Sequence, residues 1–328
     1  MGLKVSVVFI TYNHEKYVER ALRSVLEQET DFPFEVIVGE DCSTDSTRKI
    51  IHELQKEYPK QVKPLFREKN LGRPTKNVYE TMMKCQGEYV AFLEGDDYWS
   101  DKHKLQKQVD FLEAHPEYIA AAHGCELIDE NGDVITDENV RRVIDLYDYS
   151  GKFTFQDYEY SGKWPGHYAT IVCRNVFKNR QYDYSILYRA HDFVDDGVIL
   201  LFLLLQGDIY RMDDVMSAWR YVRKSDGGNW NSLSMKRNLI KDDCYLRQAL
   251  LKWVLEKREA DDFAVMMCKK DFDMALKLYV KNPTRENQQF LRDMFDYNIK
   301  EVVMKGKKVS FMGYTLKAII EKFTGNRS

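Results

Sequence analysis

Residues 34–45 read FEVIVGEDCSTD, an apolar, β-branched run that ends in a cluster of polar and acidic side chains. A continuous apolar run of this length is typical of a strand buried on both faces, as in a parallel sheet. Similar runs at 5–10 and 88–93 are also followed directly by polar residues. The pattern therefore predicts a buried parallel sheet whose strands end in polar loops.

Helical patterns alternate with these runs through the first part of the chain. This order is that of a doubly wound α/β sheet, in which ligands bind at the carboxyl ends of the strands. From residue 233 the pattern changes to charged helices, so we expect a domain over 1–232 and a helical C-terminal extension over 233–328. Helices are expected near 17–26, 46–58, 75–84, 104–114 and 196–206, and further strands at 62–66, 118–123, 125–128, 169–173, 209–212 and 215–220. The segment 133–165 is expected to be rich in loops.

Composition and charge narrow the class of protein. The chain has 52 acidic and 49 basic residues and is 44% hydrophobic, which is ordinary for a folded enzyme and does not indicate nucleic-acid binding. Its six cysteines form no CxxC pair, so we expect neither a zinc site nor a secreted disulfide framework. No signal peptide precedes the first strand, and the longest apolar run, 198–205, is too short to span a bilayer. These features favour a cytoplasmic protein.

The first acidic cluster follows the strand at 34–38. The carboxylates of Glu40 and Asp41 can accept hydrogen bonds from a nucleobase or from ribose hydroxyl groups. A structural alternative is that Ser43, Thr44 or Asp45 caps the next helix. Capping by one of these residues would not explain the acidic pair Glu40 and Asp41.

The second acidic cluster, Glu94, Asp96 and Asp97, follows the strand at 88–93. Three carboxylates in four residues repel one another unless a cation lies between them. Mg²⁺ and Mn²⁺ take carboxylate oxygens and keep open positions for phosphate oxygens. The alternative is a solvated acidic turn.

Asp195 and Asp196 form the third acidic cluster, at the start of an apolar helical pattern. A carboxylate there can act as the base that takes a proton from an attacking hydroxyl group. Alternatively, acidic residues at a helix start only interact with the helix dipole.

Together these segments resemble the inverting glycosyltransferase family 2, which has the GT-A fold. The resemblance extends over roughly residues 4–230, and the extension after it has no counterpart. The matching segments are 5–13, 20–28, 40–45, 70–72 with Asn77, 94–99 with Lys104, Leu105 and Gln108, and Asp196 with 215–220.

The resemblance implies a GT-A Rossmann-like α/β/α sandwich in which 1–115 is the nucleotide-binding half and 116–232 the half that carries the acceptor site and the base. It implies that Asp41 holds the nucleobase, that Asp96 and Glu94 bind Mn²⁺ or Mg²⁺, and that Asp196, beside Asp195, is the catalytic base. The other residues expected to bind the nucleotide are Thr11, Tyr12, Asn13, Glu40, Asn70, Asn77 and Gly95. The expected donor is a nucleotide sugar, with UDP the commonest nucleotide in the family. The expected acceptor is a saccharide or lipid-linked saccharide of surface-polysaccharide synthesis.

Two positions depart from the family pattern. Glu94 stands where aspartate is commoner, which leaves its contact with metal or ribose open. Cys42 stands where glycine is usual, which predicts that the backbone there avoids positive φ. Arg220, Arg223 and Lys224 could also face the phosphates, with plain surface positions as the alternative.

Rival classes of protein are less compatible with the sequence. A nicotinamide-dependent dehydrogenase needs a glycine-rich turn after the first strand, and residues 11–17 contain no glycine. The P-loop pattern GxxxxGK[ST] is also missing from the sequence. A non-catalytic sugar- or membrane-binding protein with the same fold remains, although the acids at 41, 96 and 196 argue against it.

The end of the chain is basic, with six lysine or arginine residues and one glutamate between 305 and 327. Apolar residues at helical spacing there predict an amphipathic helix that could lie on the inner face of an anionic membrane. The alternative is a helix packed on its own domain or on a partner subunit. The sequence leaves the oligomeric state open.

Overall fold

A computed structural model describes residues 2–141, 150–161, 163–178, 184–190, 196–222 and 239–298. Asp195, Arg223, Lys224 and the basic stretch 305–327, all singled out above, lie outside the described residues. The contacts within the chain divide it into two units, Met1–Leu233 and Ser234–Ser328. The division of the first unit into halves at 115/116 stays a prediction.

The first unit is built on one nine-stranded sheet among the described residues. Its strands are β1 (Val5–Thr11), β2 (Phe34–Glu40), β3 (Val62–Phe66), β4 (Tyr89–Glu94), β5 (Tyr98–Trp99), β6 (Tyr118–Ile128), β7 (Gly151–Phe153), β8 (Val172–Arg174) and β9 (Asp208–Arg220). Its α-helices are α1 (Val18–Leu26), α2 (Thr47–Glu57), α3 (Pro74–Met82), α4 (Lys104–Ala114), α5 (Glu138–Arg141), α6 (Phe155–Ser161), α7 (Ile186–Arg189) and α8 (Asp196–Leu204), and Tyr168–Thr170 is a 3₁₀ turn.

The strand order in the sheet is β3-β2-β1-β4-β8-β6-β9-β5, with β7 added on β9. The first four strands are parallel, as the continuous apolar runs of β1, β2 and β4 predict. β8 is antiparallel to both of its neighbours, β4 and β6. The sheet is therefore mixed: β1 to β4, β6 and β9 run in one direction, and β8, β5 and β7 run in the opposite direction.

Helices cover both faces of the sheet, because successive side chains of a strand point to opposite faces. Val5, Val7 and Phe9 of β1 pack in one apolar cluster with side chains of α1, α2 and α4. On the other face α3 approaches β2 so closely that a Cβ on Gly39 would lie 2.2 Å from the Thr81 hydroxyl oxygen. The predicted α/β class, with helices on both faces, is confirmed.

Three of the sequence-based boundaries were wrong. The strands expected at 118–123 and 125–128 form one strand, β6, and those at 209–212 and 215–220 form one strand, β9. Register shifts between β6 and β9 near Gly124 mark the breaks, so a local irregularity in a long strand had the appearance of a turn. The strand expected at 169–173 begins only at Val172, after the 3₁₀ turn. Residues 133–165, expected to be rich in loops, also contain the short elements α5, β7 and α6.

The second unit is helical in its described part, which confirms the predicted helical extension. It contains α9 (Leu239–Lys257), α10 (Asp261–Lys281) and α11 (Arg285–Asn298). Its apolar core includes Phe290, Leu291 and Met294. Arg247 Nε donates to Asp271 Oδ1 at 2.5 Å, and burial raises the pKa of that carboxyl to about 6. Among the described residues, none of the helices combines the length and the apolar character needed to cross a membrane.

His167 is buried in the first unit, where its ring stacks on Trp219 with the centroids 4.6 Å apart. Burial lowers the pKa of His167 to about 3. The unfolded chain protonates this imidazole near pH 6.5, so acid favours the unfolded state between pH 6.5 and pH 3. From His167 alone we expect the free energy of unfolding to be about 2 kcal/mol lower at pH 5 than at pH 7.

Urea unfolding of the protein at several pH values measures this contribution. His167→Phe keeps the stacked ring and cannot be protonated, so it should remove that part of the pH dependence. His52→Gln, at an exposed site, is the matched control and should leave the dependence unchanged. If His167→Phe has the same slope as the wild type, the buried imidazole is not the cause.

Candidate functional site

The carboxyl ends of β2, β1 and β4 lie side by side at one edge of the sheet. Thr11 at the end of β1 is paired with Glu40 of β2, and Ile10 is paired with Glu94 of β4. The polar segments 11–14, 40–45 and 94–97 therefore meet at this edge, as the strand order predicts.

Asn13 joins the loop after β1 to the loop after β2. Its side-chain Oδ1 accepts from the Thr44 amide at 2.8 Å, and its own amide donates to Ser43 Oγ at 3.0 Å. The backbone of Asn13 has a φ of 54°, in the left-handed region that asparagine tolerates better than most residues. Asn13 thus holds the two loops together, and its side-chain oxygen is already used by the protein.

Asp41 is almost buried and lies where β2 ends. One carboxylate oxygen accepts from the Leu71 amide at 2.8 Å, and no described residue donates to the other. Burial raises the pKa of Asp41, and the Leu71 hydrogen bond and the positive charge of Arg67 oppose that rise. Asn70 Nδ2 donates to the Asp41 carbonyl at 3.0 Å and fixes the same loop. Asp41 therefore presents one carboxylate oxygen from a rigid backbone.

The prediction that Cys42 avoids positive φ was wrong, because its φ is 60°. The left-handed region costs a non-glycine residue roughly 1–2 kcal/mol, which the hydrogen bonds around it must offset. The preceding residue, Asp41, is fixed through its amide to Thr11 O at 3.1 Å, and the following amide, of Ser43, donates to Glu40 Oε1 at 2.6 Å. The loop therefore keeps the turn that glycine would adopt more easily.

Two residues that were expected to bind the nucleotide form hydrogen bonds within the protein instead. Glu40 is fully buried, and its second carboxylate oxygen accepts from Arg48 Nε at 2.5 Å. Asn77 is buried between α3 and β2, where its Nδ2 donates to Gly39 O at 2.8 Å. Both side chains are turned to protein partners, so the structure does not place them among the accessible groups of the site.

The loop after β4 packs against the loop after β1 at Gly95. A Cβ on Gly95 would lie 2.4 Å from Thr11 Oγ1 and 2.8 Å from His14 Nδ1, so only glycine fits there. Thr11 Oγ1 and His14 Nδ1 are themselves 3.1 Å apart. The other ring nitrogen of His14 lies 4.0 Å from Asp96 Oδ2. Thr11 and Gly95 thus bring His14 against the acidic loop.

Asp97 and Arg220 support the acidic loop from the side of β9. Asp97 is buried, and its Oδ1 accepts from the Arg220 amide at 2.7 Å. The Arg220 guanidinium lies over the Tyr17 ring and donates to Asp96 O at 2.9 Å and to Asp129 O. Arg220 is 4% exposed, so it holds the loop in place instead of presenting free charge to phosphates.

Asp96 and Glu94 are the expected ligands of Mn²⁺ or Mg²⁺. The Asp96 side chain is 14% exposed, and no described residue donates a hydrogen bond to its carboxylate. In the described part of the chain, no three His, Cys, Asp or Glu side chains gather at one point. Mg²⁺ commonly uses one or two carboxylates together with substrate phosphates and water. The oxygen donors present therefore fit an ion that is held jointly by the protein and a diphosphate.

The expected base lies on a different element. Asp196 is the first residue of α8, and its side chain is outside the described part of the chain, as is all of Asp195. Tyr12, which was also expected to bind the nucleotide, lies in the loop after β1 and is 38% exposed.

The sequence interpretation missed His14 and Arg67. His14 belongs to the polar segment that follows β1, and this position in the sequence could have marked it as a candidate site residue. Arg67 is the first residue after β3, and its Nη1 pairs with Glu80 at 2.8 Å while Nη2 donates to Asn77 Oδ1 at 3.2 Å. Arg67 places a guanidinium near Asp41.

Comparison with known proteins gives a family for the part of the chain that carries these loops. Residues 6–133 match the model of the family described as glycosyl transferase family 2. This part of the chain is a family 2 glycosyltransferase domain. All three loops of the site lie within the matched residues.

Related proteins match part of this chain. An uncharacterized protein of Mycobacterium tuberculosis is 43% identical over 128 residues, which is 39% of this chain and 37% of the relative. The putative teichuronic acid biosynthesis glycosyltransferase TuaG of Bacillus subtilis is 38% identical over 108 residues, 33% of this chain and 41% of TuaG. The aligned part thus spans well under half of these relatives.

Among solved structures, the crystal structure of Staphylococcus aureus TarS 1–349 in complex with UDP-GlcNAc is similar to this protein. The TM-score is 0.65 with 20% sequence identity, over 91% of this chain and 81% of that chain. At this identity the likeness concerns the fold, and it confirms the GT-A prediction.

Proposed function

We propose that the protein is an inverting, metal-dependent glycosyltransferase that moves a sugar from a nucleotide sugar to a hydroxyl group. The observation that supports this most is the placement of Asp41 and Asp96 at the ends of β2 and β4, on either side of β1. A nearly buried carboxylate suits recognition of a nucleobase, and a partly exposed one suits a diphosphate with its cation. The two groups together match the two ends of a nucleotide diphosphate.

The proposed donor is a UDP-sugar. The free Asp41 oxygen would accept from an N–H group of the base, and the exposed ring of Tyr12 offers a face for stacking. The likeness to TarS, whose structure holds UDP-GlcNAc, is compatible with this donor. Thr11, Asn13, Glu40, Asn70 and Asn77 would position these groups without direct contact with the nucleotide.

Asp96, with Glu94 as a second carboxylate, would hold Mn²⁺ or Mg²⁺. A bound divalent ion neutralises charge on a diphosphate leaving group. His14, 4.0 Å from Asp96 Oδ2, would orient that carboxylate, and Gly95 would let the loop approach β1.

Asp196 is the proposed base, and Asp195 precedes it at the start of α8. Its carboxylate would take the proton of the acceptor hydroxyl as the oxygen forms its bond to the anomeric carbon and the sugar–phosphate bond breaks. A single displacement of this kind inverts the anomeric configuration.

The proposed acceptor is a saccharide or lipid-linked saccharide in the assembly of a bacterial surface polysaccharide. The name of TuaG, which refers to teichuronic acid biosynthesis, supports this class of acceptor. A peripheral membrane contact through 305–327 also stays a prediction, since that stretch lies outside the described residues.

Calorimetry with UDP and UDP-sugars, with and without Mn²⁺, tests the proposal. We expect binding of UDP that Mn²⁺ strengthens, and slow Mn²⁺-dependent hydrolysis of one UDP-sugar when no acceptor is present. Nucleotide binding without hydrolysis or transfer would favour a non-catalytic protein of the same fold. If a panel of UDP-, GDP-, CDP- and dTDP-sugars shows no binding at all, the proposed donor site is wrong.

A further inference from the structure

A cleft with a volume of about 790 Å³ lies between α1 and β5. Its size is in the range of sites that hold small ligands. It is open to solvent and is lined on one side by α1 and on the other by Tyr98, Trp99 and the turn after them. The roles proposed above for the donor and the base leave this cleft unused.

Positive charge exceeds negative charge along the cleft. Lys16, Arg20, Arg23 and Lys102 line it, against Glu19 and Glu27. Arg23 is neutralised by Glu57 at 3.1 Å, and Lys102 by Glu29 at 2.6 Å. In the part of the chain that the structure describes, neither Lys16 nor Arg20 has a carboxylate within 4.0 Å. Two cations at one end of the cleft are therefore available to an anion from solvent.

Arg20 is held in a fixed position. Its guanidinium lies 3.7 Å from the centre of the Tyr98 ring, and a Cβ on Gly132 would be only 2.9 Å from Arg20 Nη1. Stacking on an aromatic ring uses the face of a guanidinium and leaves its N–H edge free to donate. Less conformational freedom is lost when such a group binds a planar or tetrahedral anion.

This end of the cleft adjoins the proposed catalytic loops. Tyr98 follows Asp96 by two residues, and Lys16 follows His14 by two. The Tyr17 ring lies beneath the Arg220 guanidinium, which donates to the Asp96 carbonyl. A chain whose hydroxyl group reacts near Asp96 can therefore extend into the cleft.

We propose that the cleft binds an anionic stretch of the saccharide acceptor, away from the reacting hydroxyl group. This inference rests on the proposed function, because it specifies the acceptor of the same site. Lys16 and Arg20 pair with the acidic groups of the saccharide, and Tyr98 holds the Arg20 guanidinium in position. A concave cleft admits a narrow chain, whereas a flat lipid bilayer does not reach its floor.

The test compares the full-length wild type with Lys16→Gln/Arg20→Gln. Lys49→Gln/Lys60→Gln is the matched control, because it removes two charges from exposed positions elsewhere on the first unit. The probes are an oligogalacturonate and its neutral methyl ester, measured by calorimetry at about 50 mM and about 300 mM salt, which changes the screening of exposed charges. UDP affinity is measured on each variant as an independent readout of the donor site.

We expect the wild type and the control to bind the acidic oligosaccharide more tightly than its ester, and more weakly at high salt. In Lys16→Gln/Arg20→Gln this binding should weaken by about tenfold or more, because two charge-assisted contacts are lost. UDP affinity should stay the same in all three proteins.

Equal binding of the acid and its ester, or binding that the double substitution leaves unchanged, overturns the proposal. It is also overturned if vesicles containing phosphatidylglycerol, and no oligosaccharide, bind in a way that depends on Lys16 and Arg20. Loss of UDP binding in the wild type is a separate result, which rejects the proposed function and not the cleft.

Discussion

Asp96→Asn is expected to lower kcat/KM for sugar transfer by roughly a thousandfold, since a divalent ion contributes several kcal/mol of charge stabilisation at a leaving group. The substitution keeps the size of the side chain and removes the charge that would hold the ion. Because Asp96 makes no hydrogen bond to a described residue through its carboxylate, the fold should be little affected. The change should therefore appear in activity and metal affinity, with the melting temperature almost unchanged.

The measurement is transfer rate and UDP affinity as a function of Mn²⁺ concentration. Asp110→Asn is the control, because it removes the same charge from the exposed side of α4, where Gln106 is its hydrogen-bond partner. Wild type and control should share one Mn²⁺ dependence, and Asp96→Asn should need much more metal. An Asp96→Asn protein with normal metal dependence would show that the ion is held elsewhere.

Asp196→Asn is expected to reduce transfer by about 10²–10⁴-fold, which is the usual contribution of a positioned general base. The asparagine amide has a similar shape and cannot accept the proton of the acceptor hydroxyl. Since Asp196 begins α8, on a different element from the three donor loops, UDP affinity should remain within about twofold of the wild type.

Single-turnover transfer and UDP calorimetry separate the two effects. Asp208→Asn serves as the control, at the start of β9, where Asp208 pairs with Lys152. Transfer at the wild-type rate by Asp196→Asn would contradict the assignment. A parallel loss of UDP binding would instead place Asp196 in the donor site, and a normal Asp196→Asn with an inactive Asp195→Asn would move the base by one residue.

The parts of the fold that the sequence predicted best are those made from neighbouring segments. β1 to β4 alternate with helices, and their parallel pairing follows from local patterns and short connections. The reversed direction of β8 and its place between β4 and β6 depend on pairing between residues about 50 to 85 positions apart. Apolar periodicity carries no information about such partners.

The candidate site shows the same limit at the level of side chains. Because segments 11–14, 40–45 and 94–97 each follow a strand, the sequence correctly predicted that they meet at one edge of the sheet. The sequence could not show that Asp41 keeps one carboxylate oxygen without a described donor, whereas the carboxylate of Glu40 is bound by Arg48. That difference depends on Arg48, a residue of the next helix, whose side chain turns back to the loop. Likewise the positive φ of Cys42 results from hydrogen bonds of its neighbours and not from its own preference.

The position of β8 also constrains how the chain assembles during synthesis. β1 to β4 can pair with one another as soon as residue 94 has emerged. The two-residue strand β5 emerges next and then β6, whose partners are β8 at 172–174 and β9 at 208–220. Until those segments arrive, both edges of an 11-residue strand with an apolar face lack partners in the sheet. A nascent or truncated chain that ends between residues 128 and 208 is therefore the form in which this protein is most exposed to aggregation.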